Sequence, residues 1–442
     1  MSSLRARGAL ALYRTVGTLA YPLLGPYIGW RASRGKEDKL RRRERYGYTD
    51  KQRPADVPLI WVHAASVGET AAVTPMIQRL AEDFALVMTT GTVTSAALVH
   101  DRLAQAVLHQ YVPLDLGPSV SRFLDHWRPD LAIVAESELW PTTLSELGRR
   151  DIPQVLVNAR LSDRSFRRWK ALPSLAEALL ENLSQVVAQS EIDGERFRVL
   201  GAPAVTVAGN LKADVPPPSV DPTELAPLQK ALAGRPVWAA LSTHAGEEKL
   251  AANIHRALKK DHPGLLTLIV PRHTARADAL EREFTSHGLR VVRRSKGDLP
   301  TAETDILLGD TIGEMGLYLR LTEIAFIGKS LAAEGGQNPL EAAMLGTAIL
   351  SGRYVQNFRD AYQRLVKNGG ARLVRDEEGL RVQVDGLLSQ SQMRQKMIRA
   401  ADATTADMRG ALDRTMQALQ PFLHPLKLSF SLGAREPLGF GK

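Results

Sequence analysis

Ten apolar runs of five to eight residues, set between stretches of helical periodicity, punctuate this chain. In the first half they are LIWVHAA (59–65), ALVMTT (85–90), LAIVAE (131–136), PQVLVNA (153–159) and VVAQS (186–190). In the second half they are PVWAALS (236–242), LLTLIVP (265–271), DILLGD (305–310), EIAFIGKS (323–330) and AILSG (348–352). A strand buried on both faces reads as a continuous apolar run, and strands that alternate with helices pair in parallel. The pattern predicts an α/β protein of parallel sheets covered by helices. It lapses at ADVPPPSVDPTE (213–224), whose four prolines and lack of periodicity suit a linker. With 442 residues, two Rossmann-like doubly wound domains are expected, over 49–212 and 231–420. A Pro-rich linker over 213–230 joins them, and a loop-like tail covers 421–442. The domains are expected to face a cleft, with ligands beyond the carboxyl ends of the strands.

The absence of cysteine excludes disulfides, zinc knuckles, cysteine-held iron–sulfur clusters and thiol catalysis. The ten histidines are scattered, and neither HExxH nor a carboxylate triad at ligand spacing occurs, so no metal site is expected. A net charge of +9 invites a nucleic-acid reading, but residues 1–50 hold eleven basic against four acidic side chains. The remaining body is nearly neutral, unlike a phosphate-tracking surface, and no nucleic-acid partner is expected. The charge flanks an uncharged stretch of sixteen residues, TVGTLAYPLLGPYIGW (15–30). That is short for a spanning helix, and Pro22, Gly25 and Pro26 would break it. Tyr21, Tyr27 and Trp30 carry rings favoured at a bilayer interface, and Arg41, Arg42, Arg43 and Arg45 attract anionic headgroups. Residues 1–48 are therefore read as a membrane anchor with a basic juxtamembrane segment, spanning or lying in the interface. A signal peptide and a buried core helix are the alternatives.

Polar motifs stand at the strand ends. HAASVGET (63–70) places Glu69 in the first turn of a helix, where a carboxylate complements the dipole or acts as a general base. AESELWP (135–141) brings Glu136 and Glu138, either surface and capping groups or paired carboxylates of the kind glycoside chemistry uses. Lys212 in GNLK is a solvated lysine or a group that stabilises developing negative charge. In PRH, Arg272 has the donor fork suited to phosphate, and His273 reads as a structural histidine. GDTIGEMG (309–316) and FIGKSLAAEGGQNPLEAA (326–343) are the most informative. Gly335-Gly336 is an ordinary loop or an anion nest, with Pro339 and Glu341 opening a helix aimed at the same spot. GxGxxG and GxxxxGK[ST] are absent, so no dinucleotide or P-loop cofactor is indicated.

Together these stretches, with GKEDKLRRRERYG, YVPLDL, NARLSDRS, AQSEIDGERFRVLGA and STHAGEE, resemble in order the bacterial 3-deoxy-D-manno-octulosonic acid (Kdo) transferases of lipopolysaccharide synthesis. The likeness covers nearly all of residues 35–360 and extends to the GT-B glycosyltransferase class. It implies a metal-independent, inverting transfer of Kdo from CMP-Kdo to a lipid A precursor of the lipid IVA type, without cofactor. It implies a chain anchored among anionic lipids at the cytoplasmic face of the inner membrane, with its first domain taking the acceptor and its second the CMP-sugar. By position, Glu69 matches the family's general base, and Glu136 and Lys212 match residues that stabilise the transition state. Pro271, Arg272, Ile312, Gly313, Glu314, Asn338, Pro339, Leu340 and Glu341 match its CMP site. The family's TxTPTG run reads TTGTVTSA (89–96) here, and its GGHN reads GGQN, so Gln337 can hydrogen-bond but not titrate. A GT-B-like nucleotide-sugar epimerase and a membrane-tethered nucleotide-sugar binder without catalysis are the rival readings.

Overall fold

The computed structural model describes residues 24–55 and 57–433, together with residues 8, 10, 12, 13, 15 and 17. The chain divides into two compact units, residues 1–215 with 409–442, and residues 216–408. The first unit holds β1 (Leu59–Ala64), β2 (Ala85–Thr90), β3 (Leu108–Tyr111), β4 (Leu131–Ala135), β5 (Gln154–Ala159), β6 (Gln185–Ala188) and β7 (Val205–Val207). All are parallel, in the order β3-β2-β1-β4-β5-β6-β7. The second unit holds β8 (Val237–Thr243), β9 (Leu266–Pro271), β10 (Val291–Arg293), β11 (Ile306–Leu308), β12 (Ile324–Ile327), β13 (Ala348–Gly352) and β14 (Ala371–Val374). They too are all parallel, in the order β10-β11-β9-β8-β12-β13-β14.

Both sheets are doubly wound. The chain works outward from β1 to one edge and then returns to β4 on the other side. From β8 it runs to β9, then to the edge strand β10, fills in β11 between them, and crosses to β12. Each sheet thus has a switch point, β1/β4 and β8/β12, where neighbouring strands send their loops to opposite faces and leave a crevice. The central strands are buried on both faces, as LIWVHA and LTLIVP lead one to expect. The four strands that the apolar runs did not mark, β3, β7, β10 and β14, are the four sheet edges.

Several sequence-based boundaries change. The expected linker over 213–230 is half helix: Pro222–Leu232 buries Leu228 and Leu232 in the second unit's core. The tail expected to be loop-like from 421 is helical to 433, within a helix spanning Ala411–Gly433 that contains Pro421 and Pro425. Leu419 and Leu423 pack into the first unit's core beside Val73, Met76 and Ile77, and that burial outweighs the hydrogen bonds the prolines cannot make. Residues 434–442 lie outside the described residues.

The N-terminal segment also differs from expectation. Leu24–Ser33 is helical, with Pro26 in the first turn, where its missing N–H has no intrahelical acceptor to lose. Arg14, Tyr21 and Pro22 lie outside the described residues. Among the described residues no helix is long and apolar enough to cross a membrane. Nor is the basic cluster free as a whole. Arg45 is buried, pairs with buried Glu37 at 2.9 Å and donates to the Gly91 carbonyl at 2.6 Å. Arg41 donates to Glu44 and to the His109 carbonyl. These two arginines fasten the segment to the first unit, while Arg42 and Arg43 remain exposed.

Leu419 is wholly buried, so Leu419→Ala is expected to cost about 2–5 kcal/mol. Urea unfolding of the two proteins measures it, and an unchanged midpoint would return residues past 420 to the status of a tail.

Candidate active site

In the first unit the polar residues gather where β1 and β4 end. The loop after β1 enters helix Val67–Leu80 through a Ser66 N-cap: Ser66 Oγ accepts from the Glu69 amide at 3.3 Å and donates to Glu69 Oε1 at 2.7 Å. Glu69 Oε2 accepts from the Ala65 amide at 2.8 Å. Both readings of Glu69 therefore meet in one side chain. It caps the helix, yet each oxygen keeps a lone pair for another donor. Burial, and next the charge of Glu136, push its proton affinity up, against the hydrogen bonds from Ser66 and Ala65 and the charge of Lys212.

Glu136 follows β4 directly and is buried with φ +57°. For a residue with a Cβ that backbone costs about 1 kcal/mol or more, so other contacts must hold it. Its amide donates to the Val157 carbonyl, and its carboxylate accepts from Lys212 Nζ at 2.6 Å and lies 3.8 Å from Arg160. Lys212 is set in place from β5: Asn158, itself at φ +49° beside a register slip, accepts from the Leu211 amide at 3.0 Å. Asn210 then caps the Lys212 amide. Glu136 and Lys212, distant in sequence, form one ion pair.

Glu138 belongs to the same cluster, although its spacing from Glu136 left that open. Burial first, then the charges of Glu69 and Glu136, push its carboxyl up to about 7. Behind it His63 is buried and held neutral, its pKa pushed down to about 3 mainly by burial. The His63 ring packs on Trp140 at 4.7 Å, and Nδ1 bonds Thr89 Oγ1 at 2.8 Å. Arg160, His63 and Trp140 were not singled out beforehand, although each lies in or next to a quoted motif.

In the second unit the matched residues lie in three loops. Pro271 ends β9 and is buried, whereas the Arg272 side chain is exposed and its amide donates to the Thr243 carbonyl at 2.9 Å. Ile312 is 85% exposed beside Gly313 at φ +88°. The Glu314 carboxylate is engaged by Arg294 at 2.8 Å and by the Thr311 hydroxyl. Burial alone would raise its pKa, but those bonds hold it below the usual carboxylate range. Its place is to brace the 311–314 turn. Asn338 donates to Glu341 Oε1 at 3.0 Å and caps the Leu340 amide, and Leu340 is buried.

The expectation of a helix N-terminus aimed at an anion needs correction. The helix is only Leu340–Met344, with Pro339 at its cap rather than inside it. Five residues carry little macrodipole, and Asn338 already occupies one amide. What remains is the turn itself, with Gly335 at φ +128° and Gly336 at φ +74°. A Cβ on Gly336 would lie 2.9 Å from Val355 Cα, so that position requires glycine on two counts.

A family profile described as "3-Deoxy-D-manno-octulosonic-acid transferase (kdotransferase)" matches residues 40–215. The chain is 34% identical over 418 residues to the 3-deoxy-D-manno-octulosonic acid transferase of Haemophilus influenzae, covering 93% of this chain and 98% of that one. It is 35% identical over 429 residues to the enzyme of the same name from Bordetella pertussis, covering 93% and 99%. Among solved structures it is similar to UDP-GlcNAc 2-epimerase from Neisseria meningitidis, at TM-score 0.58 and 14% identity over 82% of this chain and all of that one, a likeness of fold alone.

A carboxyl raised above its unfolded value binds a proton more tightly in the native state. Its stabilising contribution is complete below the unfolded value of 4.5 and is lost as pH rises through about 7. Wild-type protein is therefore expected to lose thermal stability between pH 5 and 8, and Glu138→Gln to flatten that slope. Parallel melts of both proteins across that range, with superimposable slopes, would remove Glu138 from the cluster's electrostatics.

Proposed function

The chain belongs to the 3-deoxy-D-manno-octulosonic acid (Kdo) transferase family and is a glycosyltransferase of lipopolysaccharide synthesis; from that premise we propose that it moves Kdo from CMP-Kdo to a hydroxyl of a lipid A precursor, with inversion and without a protein-held metal. The observation that carries this proposal is the Glu69 carboxylate, fixed by Ala65 and Ser66 among Glu136 and Glu138 with its proton affinity raised. A general base works best when its pKa lies near the operating pH, and a raised glutamate moves that way.

Glu69 accepts the proton of the acceptor hydroxyl as the oxygen attacks the anomeric carbon of Kdo. The bond from that carbon to the CMP phosphate oxygen breaks, and the electron pair leaves with CMP. Attack opposite the leaving group inverts the centre. Lys212, held by Glu136, lies within the same cluster and offsets negative charge developing at the acceptor oxygen. On the second unit the CMP moiety engages Pro271 and Arg272, the Ile312-Gly313-Glu314 turn, and Asn338, Pro339, Leu340 and Glu341. The exposed Arg272 fork suits its phosphate. Glu314 contributes the shape of its turn rather than a free carboxylate.

The lipid acceptor calls for a membrane surface, and the reading includes attachment to anionic lipids at the cytoplasmic face of the inner membrane. Tyr27 and Trp30 are each about half exposed on the helix Leu24–Ser33, with Arg34 over the Trp30 ring. That pairing of aromatic and cationic groups suits an interface. The epimerase reading shares the fold, so fold does not separate it from transfer; family membership does.

Purified protein incubated with a lipid A precursor and a CMP-Kdo supply is expected to yield lipid heavier by whole Kdo units in a mass spectrum. Glu69→Gln is expected to lower turnover roughly 10²–10⁴-fold while the protein folds and binds CMP. Wild-type turnover should fall on acidification above the ordinary glutamate value, because the raised carboxyl must be ionised to act. Lipid of unchanged mass would refute the transfer, and near-normal turnover of the variant would take the base role from Glu69.

A further inference from the structure

The loop that leaves β12 at the second switch point, Gly328-Lys329-Ser330-Leu331, is held by one carboxylate. Glu247, wholly buried at the start of helix Glu247–Leu258, accepts four backbone amides. Its Oε2 takes Lys329 at 2.7 Å and His244 at 2.9 Å; its Oε1 takes Ser330 at 2.9 Å and Leu331 at 3.0 Å. Gly328 permits the approach, since a Cβ there would lie 2.8 Å from Glu247 Oε2 and 2.7 Å from the Ser242 carbonyl. On its other side Lys329 is tied to the glycine turn, its carbonyl accepting from the Gly336 amide at 2.7 Å.

So fixed, Lys329 stands at φ +58°, a backbone that glycine adopts without steric cost and lysine does not. The side chain runs along Gly335, where an added Cβ would meet Lys329 Cε at 3.3 Å. Among the described residues its ammonium makes no ion pair. Thr243 ties this loop's neighbour to the Arg272 amide, His244 precedes the Glu247 strap, and the His244 and His273 rings meet at 5.6 Å. Among the described residues Arg272 makes no ion pair either, and Lys329 lies beside the glycine turn at the crevice where doubly wound sheets take their ligands. A lysine in a backbone slot that suits glycine has a use for its side chain.

We propose that Lys329 is a ligand of the donor's phosphate, with Glu247 as the positioning residue that aims it. This rests on the donor-site reading above and adds to it a cation from the loop after β12. A phosphate oxygen accepting from an ammonium gains a charge-assisted hydrogen bond that the free nucleoside cannot make.

Calorimetric titration of the full-length protein with CMP and with cytidine tests it, using wild type, Lys329→Gly and Lys329→Met. Both variants are expected to bind CMP roughly ten- to a hundredfold more weakly while binding cytidine as wild type does. Lys329→Gly, relieved of the left-handed backbone cost, is expected to melt no lower than wild type. Lys329→Met keeps that cost and removes only the charge. CMP binding unchanged in either variant, or CMP and cytidine weakened alike, overturns the assignment of Lys329. Wild-type protein that binds no CMP overturns the donor-site reading itself, and this inference with it.

Discussion

Where a parallel sheet reverses its winding, two adjacent strands release their chains in opposite directions, and the amides beyond their carboxyl ends lose their ladder partners. Buried amides of that kind need acceptors. Both units meet the need with a glutamate from the following helix that folds back over the strand end. In the second unit Glu247 takes four amides and is completely enclosed. In the first, Glu69 takes one amide and one hydroxyl and stays partly open. The same device is saturated in one place and unsaturated in the other. The unsaturated copy is the one with lone pairs to offer a substrate and a raised affinity for its proton.

Strain collects at the same points. Among the described residues, six non-glycine positions have positive φ, and Glu136, Asn158, Ser242 and Lys329 lie at or just past the ends of β4, β5, β8 and β12. At Asn158 and Ser242 the strand register slips as well. Three of the four are held by hydrogen bonds to a distant residue: Asn158 to Leu211, Glu136 to Lys212, Lys329 to Glu247. Such crowding of unfavourable backbone around two crevices is how a rigid sheet aims side chains that a relaxed loop would leave wandering.

The ten central strands were legible because burial on both faces writes an unbroken apolar run. The edge strands were not, for the same reason. In β3 the run is LHQY, and buried His109 and Gln110 find partners for their side chains in Thr90 and Trp127, among others. Pro421 and Pro425 read as helix breakers, but nothing local reveals that Leu419 and Leu423 have a core to enter. Arg45 reads as one more surface charge until Glu37 is seen buried against it. In the site, the strand-end positions of Glu69 and Glu136 were visible, whereas their roles came from likeness to a family. The Glu136–Lys212 pair joins positions 76 apart, and spacing carries no signal for it. Glu247 and Lys329 sat inside quoted motifs, yet their bond joins two loops 82 positions apart.

The second unit is an insertion within the first. The chain leaves the first unit after Val215 and rejoins it at Arg409, and Asp214 ties the two crossings by accepting from the amides of Gly410 and Leu412. Synthesis must therefore run out of order with respect to architecture. The inserted unit is one continuous stretch and can complete its core while still tethered to the ribosome. The earlier sheet must wait, with the surface that Leu419 and Leu423 will cover left open, until the final helix has been translated. A chain interrupted late in its reading frame would carry Glu69, Glu136, Glu138 and Lys212 and still leave the oldest part of the molecule unfinished.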